Sequence, residues 1–167
     1  AAVTKAPSFR DRPGSGTSSA GCTRIAVPMP EHVAFTKEQL GGIVVDDSEA
    51  DLTGFSSEGH TTPGFVGQGY RHDGDSLKGE QKARFTPNLT AAGQYRVAIA
   101  YTALANRADK VPVIIHHADG DTKLVLDQKK KPAVDGLLQP VGTFRFAKGN
   151  AGYVEISNVG TDGFVVI

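Results

Sequence analysis

Hydrophobic and polar side chains alternate in short runs along the chain from about Gly42 onward. The longest run is Gln94–Thr102, where every second residue from Tyr95 to Tyr101 is large and apolar. Successive side chains of a strand point to opposite faces, so this pattern predicts a half-buried β-strand. Similar runs predict further strands at Ile43–Asp46, Gly69–His72, Gln81–Thr86, Val111–His117, Thr122–Asp127, Val141–Ala147, Tyr153–Ser157 and Phe164–Ile167.

Turn-forming residues separate these runs. Between Val111–His117 and Thr122–Asp127 lies the segment Ala118-Asp119-Gly120-Asp121. Asp-Gly between two β-rich runs is a strong hairpin signal, so these two runs are expected to pair. Eight or so short strands with frequent turns predict an all-β fold over residues 42–167, an antiparallel, jelly-roll-like β-sandwich.

Residues 1–41 have a different character and are predicted to form an extended N-terminal arm or linker. The segment 7–21 is rich in Pro, Gly and Ser, as linkers are. A single helical turn is expected at Thr36–Leu40, ended by glycines. The apolar patch Ile25–Met29 is flanked and interrupted by prolines, which restricts it to pairing at a sheet edge. The chain begins with Ala1 and shows no apolar signal-peptide core, so it is read as processed or excerpted.

Charge and cysteine content exclude several classes of protein. The 167 residues include 18 Lys and Arg and 18 Asp and Glu, so the net charge is zero and a nucleic-acid partner is not expected. No apolar run approaches the roughly 18 residues of a membrane span. Cys22 is the only cysteine and cannot form an internal disulfide. Its role as a reactive or intermolecular thiol, or as a bystander, stays open.

The sequence offers little for catalysis. No nucleophile-elbow or lyase pattern surrounds its serines, so we expect that the protein is not an enzyme. His116 and His117 are adjacent on a predicted strand and therefore point to opposite faces, which disfavours a shared metal ion.

A series of ordered sequence blocks resembles a known family. The blocks are Ile43–Asp47, Thr62–Gly67, Tyr70–Gly74, Lys82–Leu89, Ala92–Val97, Asn106–Ala108, Val113–Gly120, Val141–Phe146, Gly152–Asn158 and Gly160–Val166. Together they resemble the golvesin/xanthan-lyase accessory domain, a carbohydrate-binding-like module of secreted bacterial proteins. The resemblance covers about residues 42–167. It implies a β-sandwich, an extracellular location and a non-catalytic role in binding sugars or surfaces.

Ligand-binding residues are expected in the loops at one end of such a sandwich. We select Tyr70, His72, Asp73, Asn106 and Arg107, because their side chains offer an aromatic face and donors and acceptors for sugar hydroxyls. The alternative is structural, with an Asx turn at Asp73, a packed Tyr70 and an Arg107 that holds its own loop.

Two further points bear on ligands. The sequence lacks tryptophan, so the aromatic faces left for a sugar are Tyr70, Tyr101, Tyr153 and Phe164. Many sandwich modules that resemble this one hold a structural calcium ion, and Asp46, Asp47 and Asp162 are its candidate ligands here. No other cofactor is expected.

Three functions are compatible with these observations. The first is a secreted binding module for a polysaccharide or cell-surface glycan. The second is a structural subunit of an extracellular filament or lattice, in which the arm around Ile25–Met29 completes the sandwich edge of a neighbouring copy. The third is an accessory domain excerpted from a larger secreted enzyme.

Overall fold

The computed structural model describes residues 2–5 and 34–167. Helical structure in this part of the chain is limited to α1 (Lys37–Leu40) and a 3₁₀ turn (Asp47–Glu49). The strands are β1 (Ala2–Lys5), β2 (Ala34–Phe35), β3 (Ile43–Val44), β4 (Asp51–Thr53), β5 (Ser57–Gly59), β6 (Phe65–Val66), β7 (Tyr70–His72), β8 (Lys82–Phe85), β9 (Gly93–Ala100), β10 (Val111–His117), β11 (Gly120–Leu126), β12 (Leu138–Phe146) and β13 (Tyr153–Ser157).

Two antiparallel sheets form the sandwich. One has four strands in the order β12-β9-β1-β3, and the other has five in the order β11-β10-β13-β8-β4. Two small two-stranded sheets, parallel β2-β6 and antiparallel β5-β7, lie beside them. The predicted all-β sandwich is confirmed.

The core lies between the two large sheets. From β9 the inward residues are Tyr95, Val97 and Ile99, all almost completely buried, as the alternation predicts. They share one hydrophobic cluster with inward residues of the five-stranded sheet, which are Ala83, Phe85, Val113, Ile115, Val154 and Ile156. Burying each large side chain stabilises the fold by about 1.5–3 kcal/mol, so the facing sheets hold each other in place.

Among the described residues, no helix has the length and apolar character needed to cross a membrane.

The predicted hairpin forms, with a shorter connection than expected. Strands β10 and β11 pair along their length, and His117 lies opposite Gly120. Only Ala118 and Asp119 lie between the paired strands. Gly120 has a φ of 116°, which a residue with a side chain rarely adopts.

The N-terminal 41 residues contain more structure than the single predicted turn. That turn is present as α1, and the Gln39 side chain accepts a hydrogen bond from the Thr36 N–H at 2.8 Å. In addition, the backbone of β1 pairs with β9, with Val3 opposite Val97, and so takes an inner position in the four-stranded sheet. Strand β1 has only four residues, and so short a run does not predict a strand or its partner from the sequence. Cys22 and the Ile25–Met29 patch lie outside the described residues.

The predicted strand at Phe164–Ile167 does not form a ladder and is a correction to the sequence reading. Phe164 bridges Arg107, and Val166 bridges His72, each as an isolated pair. The backbone of Ile167 pairs with that of Arg71, and the Val165 carbonyl accepts from the Asp73 N–H. The Val165 N–H and both backbone groups of Val166 bond instead to the buried side chains of Asp73 and Gln128.

Candidate functional site

Three of the residues selected from the sequence lie together. The Arg107 guanidinium lies 5.4 Å from the centroid of the Tyr70 ring, and its Nη2 donates to the Tyr70 hydroxyl at 3.4 Å. The His72 ring is 6.5 Å from that of Tyr70 and 5.6 Å from that of Phe164. Strand β7 supplies Tyr70 and His72, and the loop after β9 supplies Arg107. The sequence therefore selected residues that form one cluster in space.

Most of this cluster is inside the protein. Tyr70 is 7% exposed and Arg107 is 4% exposed. The Tyr70 hydroxyl donates to Thr62, and Arg107 Nε donates to the Thr102 carbonyl at 3.2 Å, which holds the loop between these two residues. This geometry matches the structural alternative for Arg107. His72 and Phe164 remain half-buried, and the Asn106 side chain is exposed.

Asp73 is the centre of a buried hydrogen-bond network. Its Oδ1 accepts from the backbone N–H of Asp75 and of Val165, both at 3.0 Å. Its Oδ2 accepts from Lys78 Nζ at 2.8 Å and from Asn158 Nδ2 at 3.1 Å. The bond to Asp75 is an Asx turn, which is the structural alternative considered for Asp73.

Asn158 and Gln81 extend the network. The Asn158 side-chain oxygen accepts from the N–H groups of Gly79 and Gln81. The Gln81 amide donates to the carbonyls of Asp73 and Ser76 and accepts from Phe55 N–H at 2.6 Å. Asp73, Lys78, Gln81 and Asn158 are called the hub from here on. Among the described residues, no buried side-chain nitrogen or oxygen lacks a hydrogen-bond partner.

Burial and hydrogen bonding act on the pKa values of this region in opposite directions. Burial alone would raise the pKa of Asp73, but the bonds from Lys78, Val165 and Asn158 hold it below the ordinary value. The pKa of Tyr70 is also lowered, since its bonds with Thr62 and Arg107 outweigh its burial. Burial, followed by the charge of Arg107, lowers the pKa of His72.

A second buried clamp holds the C-terminal segment. Gln128 is 0% exposed, donates to the Val166 carbonyl at 2.7 Å and accepts from the Val166 N–H at 2.9 Å. Together with Asp73 it satisfies backbone groups that a strand ladder would otherwise satisfy. The hub and this clamp explain how Val165 and Val166 become fully buried without forming a strand.

The predicted calcium ligands Asp46 and Asp47 lie beside positively charged Arg71. Asp46 and Asp47 line an open cleft of about 440 Å³ that also contains Glu58 and Arg71. Arg71 pairs with Glu58 at 2.8 Å and lies 3.7 Å from Asp47, so a cation of the protein itself already faces these carboxylates. Burial and the neighbouring Asp46 raise the pKa of Asp47. Within the described part of the chain, no three His, Cys, Asp or Glu side chains are placed to hold a metal ion. The calcium site, including Asp162, stays a prediction.

The outer face of the five-stranded sheet carries a different group of residues. The Arg84 guanidinium lies 4.2 Å from the Tyr153 ring centroid, and the His116 ring stacks on Tyr153 at 4.9 Å with planes 15° apart. Since β8 and β10 flank β13 on opposite sides, the two residues cover opposite faces of Tyr153. His116 Nδ1 lies 2.5 Å from Asp121 on β11. Arg84, Tyr153, His116 and Asp121 are called the polar row from here on.

The polar row is accessible to solvent. The side chains of Arg84, His116 and Asp121 are 40–46% exposed. Arg84 also donates to Glu155 from Nε at 3.0 Å and from Nη2 at 2.7 Å, which fixes the guanidinium and raises its pKa. His117 points the other way and packs on Phe144, so the two histidines diverge as predicted.

Sequence reasoning found only part of this row. Tyr153 was recognised as one of the aromatic faces left for a sugar, but Arg84, His116 and Asp121 were not selected. The signal available was the alternation in each strand, which places these residues on the outward face. Their mutual contacts depend on strand order, which the pattern does not determine.

Comparison with known proteins agrees with the resemblance drawn from the sequence blocks. The family model described as the golvesin C-terminal domain matches residues 43–167. A xanthan lyase from Bacillus sp. (strain GL1) is 35% identical over 134 residues, which is 77% of this chain but 14% of that protein. The solved structure of Paenibacillus xanthan lyase superimposes with a TM-score of 0.70 at 31% identity, covering 75% of this chain and 12% of that one. The chain therefore spans about one-seventh of the length of the curated relative that it matches.

Proposed function

Because the chain belongs to the golvesin C-terminal domain family, we propose that it is a non-catalytic accessory domain that binds a polysaccharide or a cell-surface glycan. The observation that carries this proposal is the unequal coverage of the match to xanthan lyase. Most of this chain corresponds to a small part of an enzyme whose name states a polysaccharide substrate. A domain of this kind would hold the polymer near a catalytic unit elsewhere in a longer secreted enzyme.

The buried polar groups support a non-catalytic role. At the loop end of the sandwich, the carboxylate of Asp73 and the guanidinium of Arg107 could in principle act on a substrate, but both are buried and bonded to backbone groups. A general acid or base must reach the proton that it transfers. Side chains that hold loops and the C-terminal segment in this way are suited to stabilising the sandwich.

The proposal is tested with the full-length chain on immobilised polysaccharides, including xanthan. We expect retention on at least one polysaccharide and elution by the same polymer in soluble form. Release of reducing or unsaturated sugars should stay at the level of a buffer control. A folded protein that is retained on no polysaccharide would contradict the binding role, and sustained sugar release would contradict the non-catalytic role.

The second function, a subunit of a filament or lattice, has weaker support. In the described residues, β1 completes the sheet of its own chain between β9 and β3 and leaves that position filled. Light scattering of the full chain across a wide concentration range separates the two functions. A monomer at high concentration favours the binding module, whereas growth to large particles favours assembly.

A further inference from the structure

We propose that the outer face of the five-stranded sheet, centred on the polar row, is the glycan-binding surface and that its ligand is a neutral polysaccharide. This inference rests on the proposed function and adds the surface and the ligand class. It differs from the loop-end site selected from the sequence, where Tyr70, Asp73 and Arg107 are buried.

The row has a shape suited to an extended chain. Its four residues stand on four adjacent strands, β8, β13, β10 and β11. Neighbouring strands are about 4.8 Å apart, so the row spans about 14 Å across the sheet. His116 lies directly opposite both Tyr153 and Asp121. Arg84 lies opposite Glu155, two residues further along β13, and reaches the Tyr153 ring diagonally. A linear polymer laid across the sheet would meet the four side chains in sequence.

The side chains of the row are fixed before any ligand arrives. Arg84 is held by two hydrogen bonds to Glu155, and Tyr153 is enclosed between Arg84 and His116. Asp121 is bonded to His116. Side chains that are already ordered lose little conformational entropy on binding, which favours affinity for a weakly interacting ligand such as a sugar.

Charge balance determines the ligand class. The charged side chains that alternation and register place on this face are three cations and three carboxylates, namely Lys82, Arg84 and Lys123 with Asp51, Asp121 and Glu155. Of the three cations, Arg84 is already paired with Glu155. A face without excess positive charge gives no general attraction to a polyanion. Its mixed donors and acceptors match sugar hydroxyls, which both donate and accept hydrogen bonds.

Apolar residues lie next to the row on the same face. Ile114 precedes His116 by two positions on β10. Pro112 precedes it by four positions and lies opposite Val125 of β11. Val125 is 64% exposed, and Pro112 and Ile114 are partly exposed. The C–H faces of pyranose rings are apolar, so contact with these side chains would contribute to binding without charge.

The test measures binding of full-length protein to galactomannan, a neutral polymer, and to polygalacturonate, an acidic one, by affinity electrophoresis and calorimetry. Tyr153→Ala and His116→Ala should each weaken galactomannan binding by about tenfold or more, as expected for one lost contact of about 1.4 kcal/mol. Tyr153→Phe keeps the ring between Arg84 and His116, and it should therefore lose less affinity for galactomannan than Tyr153→Ala. Binding of the unaltered chain should change by less than about twofold between about 50 and 500 mM salt, since screening acts on charge attraction.

Control variants distinguish the possible failures. Arg145→Ala removes an exposed arginine of β12 that pairs with Asp119, and it should bind normally. If His72→Ala or Asn106→Ala abolishes binding while Tyr153→Ala does not, the proposed function stands and this surface is wrong. Binding only to polygalacturonate with a steep salt dependence would overturn the neutral ligand. If the folded, unaltered chain binds no glycan, the proposed function itself fails.

Discussion

The hub and the polar row are both built from polar side chains and use them in opposite ways. The hub side chain Asp73 is 0% exposed and bonds to backbone groups of a distant segment. The row side chains contact one another and Glu155 across the sheet and remain partly open to solvent. Polar residues of the hub therefore hold the fold together, whereas those of the row are available to a partner. Substitutions in the two regions should separate stability from binding.

The largest effect is expected from Asp73→Ala. It leaves two backbone N–H groups, Asn158 and Lys78 without their buried acceptor, and we expect a loss of about 3–4 kcal/mol in the free energy of unfolding. Urea denaturation measures this loss. Asp75→Asn is the control, because Asp75 pairs with the same lysine but is 42% exposed, and asparagine is tolerated at its φ of 55°. It should cost less than about 1 kcal/mol, and equal costs would contradict the distinction between the two regions.

Gln128→Ala should lower the free energy of unfolding by a smaller amount, about 2 kcal/mol, because it leaves one buried N–H and one buried carbonyl of Val166 unpaired. Hydrogen exchange should show faster exchange at the Val166 amide. Gln94→Ala, at an exposed position of β9, is the control and should leave stability unchanged. Unaltered exchange at Val166 in the Gln128 variant would show that the clamp does not hold this segment.

Acid should weaken the hub by a smaller amount than either substitution, because a protonated Asp73 keeps its oxygens in place. The folded pKa of Asp73 lies below its ordinary value. Its contribution to stability is therefore complete above the unfolded pKa of about 3.9 and is lost as the pH falls through the folded pKa. Unfolding free energies measured from about pH 5 down to about pH 2 check this. Asp73→Asn should flatten the profile, and an unchanged slope would assign the loss to other carboxylates.

The smallest effect on stability is expected from Arg84→Ala. Its ion pair with Glu155 is partly exposed, so we expect a loss below about 1 kcal/mol by thermal unfolding. Binding to galactomannan should nevertheless fall, because the row loses one of its members. A large loss of stability would place the row with the hub as a structural element.

The two regions also differ in how far the sequence predicts them. Alternation from Tyr95 to Tyr101 was sufficient for a strand and its buried face, and the ordered blocks were sufficient for the sandwich. The Asx turn at Asp73 is local and was considered from the sequence. Its bond to Asn158 joins residues 85 positions apart and follows only from the packed fold. The same applies to Arg84 and Glu155, which are 71 positions apart and meet through strand order.

Nuclear magnetic resonance of the full-length chain, titrated with a galactomannan oligosaccharide, reports which surface of the sandwich contacts the sugar. We expect the backbone amide signals of Arg84, His116, Asp121 and Tyr153 to shift in proportion to bound ligand, while those of Asp73 and Asn158 stay in place. Shifts confined to His72, Asn106 and their neighbours would contradict the account, because they would place the sugar at the loop end of the sandwich.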